Sequence, residues 1–358
     1  MRAFAVFLVA LGACGGGGTS LAVPSAPVAP TPITPVARVA VTPNAATLSY
    51  DATQLLTATT FDANGAVLAG RAITWESGYS AVATVSATGL VAARCYGTSS
   101  IKATSEGISG TSTVLVDPPL TMLRYDVAAG VSCVDEAAIR QGIEKAQTFL
   151  TTNTGGDVPA SMHPLVTVKV VATGLGNQSP GGGGACCTSQ DTAGMGRPFF
   201  DVKHPNWDIS KPPGIATWSI FANKEKTAAH EYVHVWAWSL GGLPYSSERL
   251  GDWLTEGLAE YLAYSTMVRL GQMRAEDVDA FMLSSAVITG EAAQCLSSLE
   301  QDTTIWPGHS GYLAVKALLA RSPGGVLSLR TVNSDLGAGM TFDQAFAHAF
   351  GLSKASFS

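Results

Sequence analysis

Charge is scarce in this chain: Asp, Glu, Lys and Arg make up only 13% of 358 residues, and the net charge is -6. No run of Lys or Arg gathers the few cations into a patch, which removes the electrostatic footprint of a nucleic-acid binder. Beyond the first residues no uninterrupted apolar stretch approaches the roughly 20 residues of a spanning helix. The low charge does not signal disorder, because 46% of residues are hydrophobic. At 36.9 kDa the chain is long enough for two domains, each with its own core. Histidine and cysteine are also few, six of each, so where they cluster is informative.

The N-terminus has its own logic. Arg2 is a minimal positive start, Ala3 to Ala10 is a short apolar run, and Leu11-Gly12-Ala13-Cys14 follows. This resembles a bacterial lipoprotein signal over residues 1–13, which implies that Cys14 is lipidated and anchors the protein to a membrane outside the cytoplasm. Residues 14–35, with Gly15 to Gly18 and then Pro24, Pro27, Pro30, Pro32 and Pro35, read as a Gly/Pro-rich tether. The Gly, Ala, Ser and Thr content suits an exported protein, where disulfides form. With Cys14 taken by lipid, Cys186 and Cys187 are expected to pair with Cys133 and Cys295 in an unassigned order, since neighbouring cysteines rarely pair with each other. Cys95 is then left as a small apolar residue in a strand.

From 36 to 117 the pattern is short Thr/Val-rich strands separated by turns: Val39–Thr42, Thr53–Thr59, Ile73–Trp75, Ala83–Ser86, Gly89–Ala92, Ser99–Ala103 and Thr111–Val116. Seven such strands with a turn at Asp62-Ala63-Asn64-Gly65 predict a β-sandwich. The segments Ile73-Thr74-Trp75-Glu76-Ser77, Ala83-Thr84-Val85-Ser86, Gly89-Leu90-Val91 and Gly97-Thr98 resemble the group 2 bacterial immunoglobulin-like domain. The resemblance implies Trp75 buried between the sheets, and either a spacer or a contact with surface glycan or cell wall.

Asp117-Pro118-Pro119 leads into residues 118–358. Val134–Leu150 has helical periodicity, Leu165–Val171 and Phe199–Val202 read as strands, and Ile215–Phe221 as a strand bordering a cleft, available to pair with a peptide. The Gly-rich segment 177–184 reads as a surface loop, with a lid as one option. Helices are expected around Asp277–Val287, Tyr312–Ala320 and Phe342–Phe350.

The scarce histidines converge in His230-Glu231-Tyr232-Val233-His234. On composition this spacing arises by chance in about a few chains per thousand. Histidines four apart on a helix share one face and can bind one metal ion, with Glu231 placed to take a proton from water. A catalytic zinc site usually has three protein ligands, and Trp253-Leu254-Thr255-Glu256-Gly257-Leu258-Ala259-Glu260-Tyr261 follows, with 21 residues between His234 and Glu256. Gly241-Gly242 and Pro244 mark the end of the first helix, and Asp252 can cap the next.

The two motifs together resemble the gluzincin, or peptidase-MA-like, group of zinc metallopeptidases. The resemblance implies one Zn2+ held by His230, His234 and Glu256, Glu231 as general base, and a peptide or protein substrate. Glu260, one turn beyond Glu256, is a candidate to orient a ligating His. Aminopeptidase-like relatives use a Tyr three residues before a downstream Gly; the position before Gly311 is Gly308, which leaves His309 and Tyr312 as candidate oxyanion stabilisers. The substrate strand of the aminopeptidases is missing too. The expected whole is an all-β immunoglobulin-like sandwich followed by an α+β zincin-like domain, a mixed β/α lobe plus a helical lobe with zinc between. Two competing readings keep the cluster without turnover: a surface adhesion lipoprotein whose zinc domain only binds, and a structural zinc module with a closed site.

Overall fold

The computed structural model describes residues 33–117, 123–159, 162–163, 166–175, 189–190, 196–205, 207, 218–241, 252–299 and 306–357. Residues 1–13, Cys14, nearly all of the tether, the loop 177–184, Cys186 and Cys187 therefore lie outside the described residues. Among the described residues no helix is long and apolar enough to cross a membrane.

The N-terminal unit is all β. Its strands are β1 (Arg38–Thr42), β2 (Ala45–Leu48), β3 (Thr53–Leu55), β4 (Thr57–Phe61), β5 (Thr74–Ser77), β6 (Ala83–Val85), β7 (Leu90–Ala93), β8 (Gly97–Ser105) and β9 (Ile108–Val116). They form sheets ordered β2-β9-β8-β5, β3-β7-β6 and β1-β4. The inward residues of all three sheets, among them Val39, Val41, Leu48, Val91, Ile101, Val114 and Val116, close one core. The alternation of Thr with Val or Ile is what permits this, because successive side chains point to opposite faces.

Two details of the sandwich differ from expectation. Thr53–Thr59 is two strands, not one. The buried Leu56 turns inward and its N–H bonds to Gly89 O, so β3 pairs with β7 and β4 with β1. Trp75 is only half-buried. Its indole lies across Gly89, where a Cβ would come within 2.9 Å of the ring at a φ of +84°; only glycine serves there.

The C-terminal region opens with a small parallel sheet and becomes helical. Strands β10 (Arg124–Val127), β11 (Thr167–Val171) and β14 (Phe199–Asp201) are parallel neighbours, while β12 (Ser189–Gln190) and β13 (Gly196–Arg197) form a short antiparallel pair. Between β10 and β11 runs α1 (Cys133–Asn153). Then come α2 (Ile220–Ser239), α3 (Asp252–Arg269), α4 (Ala275–Ile288), α5 (Leu296–Leu299), α6 (Gly308–Arg321), α7 (Leu327–Gly337), α8 (Phe342–Phe350) and α9 (Lys354–Phe357).

The expected strand at Ile215–Phe221 is a misreading where it can be checked. Ser219 caps α2, its side chain accepting from Ala222 N–H, and Ile220 and Phe221 are the first helical residues. The apolar run belongs to the first turn of the helix, and a cap satisfies donors that a strand would have spent on a neighbour. Residues 215–217 lie outside the described residues.

Helix α2 is buried nearly all round, and two contacts hold it. A Cβ on Gly142 of α1 would come within 2.2 Å of Glu225 O, so the backbones of α1 and α2 touch. Asp135, in the first turn of α1, accepts from Lys224 Nζ (2.6 Å), Trp207 Nε1 (2.7 Å) and Ser132 Oγ (2.6 Å). Burial raises the Asp135 pKa, but these donors outweigh it and hold the carboxyl below its usual value. On the other side α3 crosses α6 at Gly257 and Gly311, where a Cβ on either would come within 2.3 Å of the other helix's backbone. The glycine after Glu256 is thus a packing requirement that brings α6 against the motif helix.

The cysteine expectation is corrected. Cys133 pairs with Cys95, their Cα atoms 5.0 Å apart, not with Cys186 or Cys187. Cys95 sits in the bend between β7 and β8 rather than in a strand. Cys295 is exposed, with its Sγ 3.2 Å from Ser298 Oγ. The bridge ties the sandwich to the N-terminus of α1. The same seam stacks Tyr50 on Phe221 of α2 at 5.8 Å and 1° between planes, and sets the Arg140 guanidinium between the rings of Tyr96 and Tyr125. Closing a loop of separation 38 corresponds to about 4 kcal/mol of chain entropy in the unfolded state. Cys95→Ser is expected to lower the denaturant midpoint of the whole chain by an amount equivalent to about 2–4 kcal/mol. Denaturant unfolding of the variant and the parent, both without reductant, checks this: an unchanged midpoint would contradict it.

Candidate metal centre

Helix α2 carries His230 and His234 on one face, and the second turn of α3 brings Glu256 up to them. His230 Nε2 and His234 Nε2 are 3.1 Å apart. His230 Nε2 lies 3.5 Å from Glu256 Oε2, and His234 Nε2 lies 3.7 Å from Glu256 Oε1. All three residues are buried, and they form a candidate metal-holding group. Two ligand atoms each ~2.05 Å from one ion at a tetrahedral angle stand about 3.3 Å apart. The three observed separations bracket that edge length, and two imidazoles with one carboxylate is a donor set suited to zinc.

Charge argues the same way. Glu231, Glu256 and Glu260 are each 4% exposed, and Lys226, also buried, is the cation beside them. Three carboxylates against the Lys226 ammonium and a protonated His230 still leave one negative charge in a place shielded from water. Such a cluster is costly unless a cation joins it. The histidine rings feel this field unequally. Burial opposes charge on His230, but the carboxylates of Glu260, Glu256 and Glu231 lift its pKa to about 10. On His234 burial prevails and holds the pKa below its usual value.

Glu260 Oε1 lies 3.2 Å from His230 Nδ1, an ion-pair contact outside hydrogen-bond geometry, on the nitrogen remote from the cluster. Lys226 Nζ in turn donates to both Glu260 oxygens at 3.2 and 3.3 Å and lies 4.9 Å from the Tyr264 ring. Burial raises the Glu260 pKa, but Lys226 and His230 together pull it well below the usual carboxylate range. A carboxylate on the remote nitrogen fixes the tautomer and raises ligand basicity, and its loss typically costs about 10–100-fold in metal affinity. Glu260→Gln is expected to weaken zinc binding by a factor in that range, read from competition with a chromogenic chelator, with the far-ultraviolet dichroism unchanged.

The two oxyanion candidates part company. Tyr312 donates to Asp279 Oδ1 at 3.0 Å and packs its ring near Tyr261 and Tyr264, so its hydroxyl is committed outside the trio. Lys316 pairs with the same Asp279 carboxylate. His309 is better placed. Its Nδ1 is 2.6 Å from Glu291 Oε1, and its ring is 5.1 Å from that of Trp306, which itself touches the trio. The second Glu291 oxygen accepts from Ser310 N–H at 2.7 Å, which clamps the first turn of α6.

Sequence reasoning missed four residues here: Lys226, Glu291, Trp306 and Trp238. Lys226 had a signal, standing one turn before His230 on the same helical face. Trp238 likewise stands one turn beyond His234 and stacks on its ring at 6.2 Å and 27°. Glu291 and Trp306 come from a loop and a 3-10 turn (Glu291–Ala293) with no local pattern to flag them. Trp306 Nε1 donates to Glu256 Oε2 at 3.0 Å.

The molecule is a β-rich immunoglobulin-like unit followed by a helical C-terminal region. Residues 35–116 match the family model described as bacterial Ig-like domain (group 2). No curated protein matches the chain. Among solved structures it is similar to domains 4 and 5 of the S-layer protein SbsC, with 20% identity and a TM-score of 0.21, covering 23% of this chain and 52% of that one. It is similar to an intimin mutant from EHEC O157:H7, at 25% identity and a TM-score of 0.16, covering 20% and 35% of the two chains. The adhesin InvE of Yersinia pseudotuberculosis gives 19% identity and a TM-score of 0.17, with coverage of 25% and 30%. The chain thus spans about half of the first of these and about a third of the other two.

Proposed function

We propose that the C-terminal region is a zinc-dependent peptide hydrolase of gluzincin type, held outside the cytoplasm by a lipidated Cys14. The observation that carries the reading is the separation of His230, His234 and Glu256 by the edge length of a zinc tetrahedron, with Glu231 beside the first ligand. Two His nitrogens and one Glu oxygen would hold the ion and leave a fourth position for solvent. When bound, zinc lowers the pKa of water toward about 7 and polarises a carbonyl.

The chain supplies the rest. Glu231 accepts the proton of the attacking water and passes it to the leaving amine. His309, with Nδ1 held by Glu291, is the donor for charge that develops on the scissile carbonyl oxygen, a role that requires the imidazolium because the neutral ring spends its one N–H on Glu291. Glu260 and Lys226 hold His230 in the tautomer that leaves Nε2 free for the ion. The helix contact at Gly257 and Gly311 keeps α3 and α6, and so Glu256 and His309, in fixed relation.

The Ig-like unit is proposed as a spacer fastened to this region by Cys95–Cys133. The adhesion reading draws on its similarity to intimin, InvE and an S-layer protein, but nothing in the sandwich gathers binding chemistry comparable to the buried trio. A peptide library incubated with the zinc-loaded protein decides between them. Cleavage that stops with a chelator and returns with added zinc supports the hydrolase; zinc bound at one per chain with no cleavage supports the binding protein.

A further inference from the structure

Trp306 has no part in the hydrolytic roles above, yet it is built into the centre. Its Nε1–H holds Glu256 Oε2, and its ring centroid lies 6.5 Å from that of His230. The ring of His309 meets it edge-on, at 88° between planes. From below it is seated on Gly308, where a Cβ would come within 2.1 Å of the benzo edge of the indole. Gly308 is also the position at which the resemblance to aminopeptidase-like enzymes leads one to look for Tyr. A side chain there would occupy the space that the indole takes.

An indole held by a hydrogen bond, a glycine seat and an edge contact has lost its rotamer freedom on folding, so a ligand need not supply that ordering. Nevertheless 44% of Trp306 stays exposed. Phe281, half-buried, also meets the His309 ring, at 5.9 Å and 90°. A rigid, accessible aromatic wall directly beside buried polar chemistry is the usual form of a specificity subsite.

We propose that Trp306 forms a subsite for an apolar side chain, aromatic or branched aliphatic, on the peptide residue next to the bond presented to Glu231. The inference rests on the peptidase reading of the same site and names its substrate class. Trp306 then has two separable functions: the ring receives the side chain, and the N–H positions Glu256.

The test uses the full chain, zinc-loaded and carrying Glu231→Gln, so that binding is read without turnover. Calorimetry follows a set of hexapeptides identical except for one central residue: Phe, Leu, Ala, Asp or Lys. With Trp306 intact the Phe and Leu peptides should bind about 10-fold or more tighter than the Asp and Lys peptides, the scale on which apolar pockets discriminate. Trp306→Phe should keep that preference and weaken zinc binding; Trp306→Ala should abolish the preference. Should Trp306→Ala lose its zinc, Gly308→Ala carries the same expectation when read at saturating zinc, since it displaces the ring and with it the hydrogen bond to Glu256.

Equal binding of all the peptides, binding of none, or a preference that survives both Trp306→Ala and Gly308→Ala overturns the subsite. The parent reading fails separately. If protein with Glu231 intact cleaves nothing while these peptides bind in a Trp306-dependent way, the hydrolase falls and the subsite stands. If it cleaves peptides with no preference for apolar residues, the subsite falls and the hydrolase stands.

Discussion

Glu231→Gln is expected to lower kcat/KM for peptide hydrolysis by about 10³-fold, within the 10²–10⁴ range of a positioned general base, while zinc content stays at one per chain. Gln has the size and shape of Glu but cannot accept the proton of the attacking water. Glu231 is buried on α2 between the two histidines, and its charge acts on both rings. Losing that charge should leave the ligand atoms of His230, His234 and Glu256 where they are. The decisive pair of measurements is metal content and turnover on the same sample. Lost activity with zinc retained assigns Glu231 to the proton, whereas lost activity with lost zinc assigns it to the architecture of the site.

Glu256→Ala is expected to do the reverse, removing zinc first and activity as a consequence. Structural zinc binding is worth roughly 10–16 kcal/mol over four ligands, so one ligand corresponds to about 3–4 kcal/mol and to a 10²–10³-fold loss in affinity. Two further effects work in this direction. Trp306 Nε1–H loses its acceptor, and the buried histidines lose the carboxylate whose oxygens lie 3.5 and 3.7 Å from their Nε2 atoms. Zinc titration by competition reads the affinity. Excess zinc should restore part of the activity in this variant and none in Glu231→Gln.

What was legible in the sequence was local. His230 and His234 meet because a helix repeats every 3.6 residues, and Glu260 falls one turn from Glu256 for the same reason. The sandwich strands were legible from period-two alternation. Glu256 needed the resemblance as well, since 21 residues of intervening chain carry no geometric information. Misreadings arose where tertiary contacts decide. Cys95 reaches Cys133 only because the sandwich docks on α1, at the seam where Tyr50 stacks on Phe221. The run ending at Phe221 looked like a strand because burial of α2 is nearly complete, which erases the one-sided pattern that marks most helices. Ser219 was the overlooked sign.

Glu291 and Trp306 were invisible for a different reason. Each acts on a residue 18 or more positions away, Glu291 on His309 and Trp306 on Glu256. Glycines were legible only as turns, although Gly257, Gly308 and Gly311 are each required by close approach of a neighbouring backbone or ring.

The central claim is tested most directly by a crystal of the zinc-loaded protein measured on both sides of the zinc absorption edge. The account predicts one anomalous peak, about 2.0–2.2 Å from His230 Nε2, His234 Nε2 and a Glu256 oxygen, with solvent in the remaining position. A peak elsewhere, or a fourth protein ligand closing the site, would contradict it.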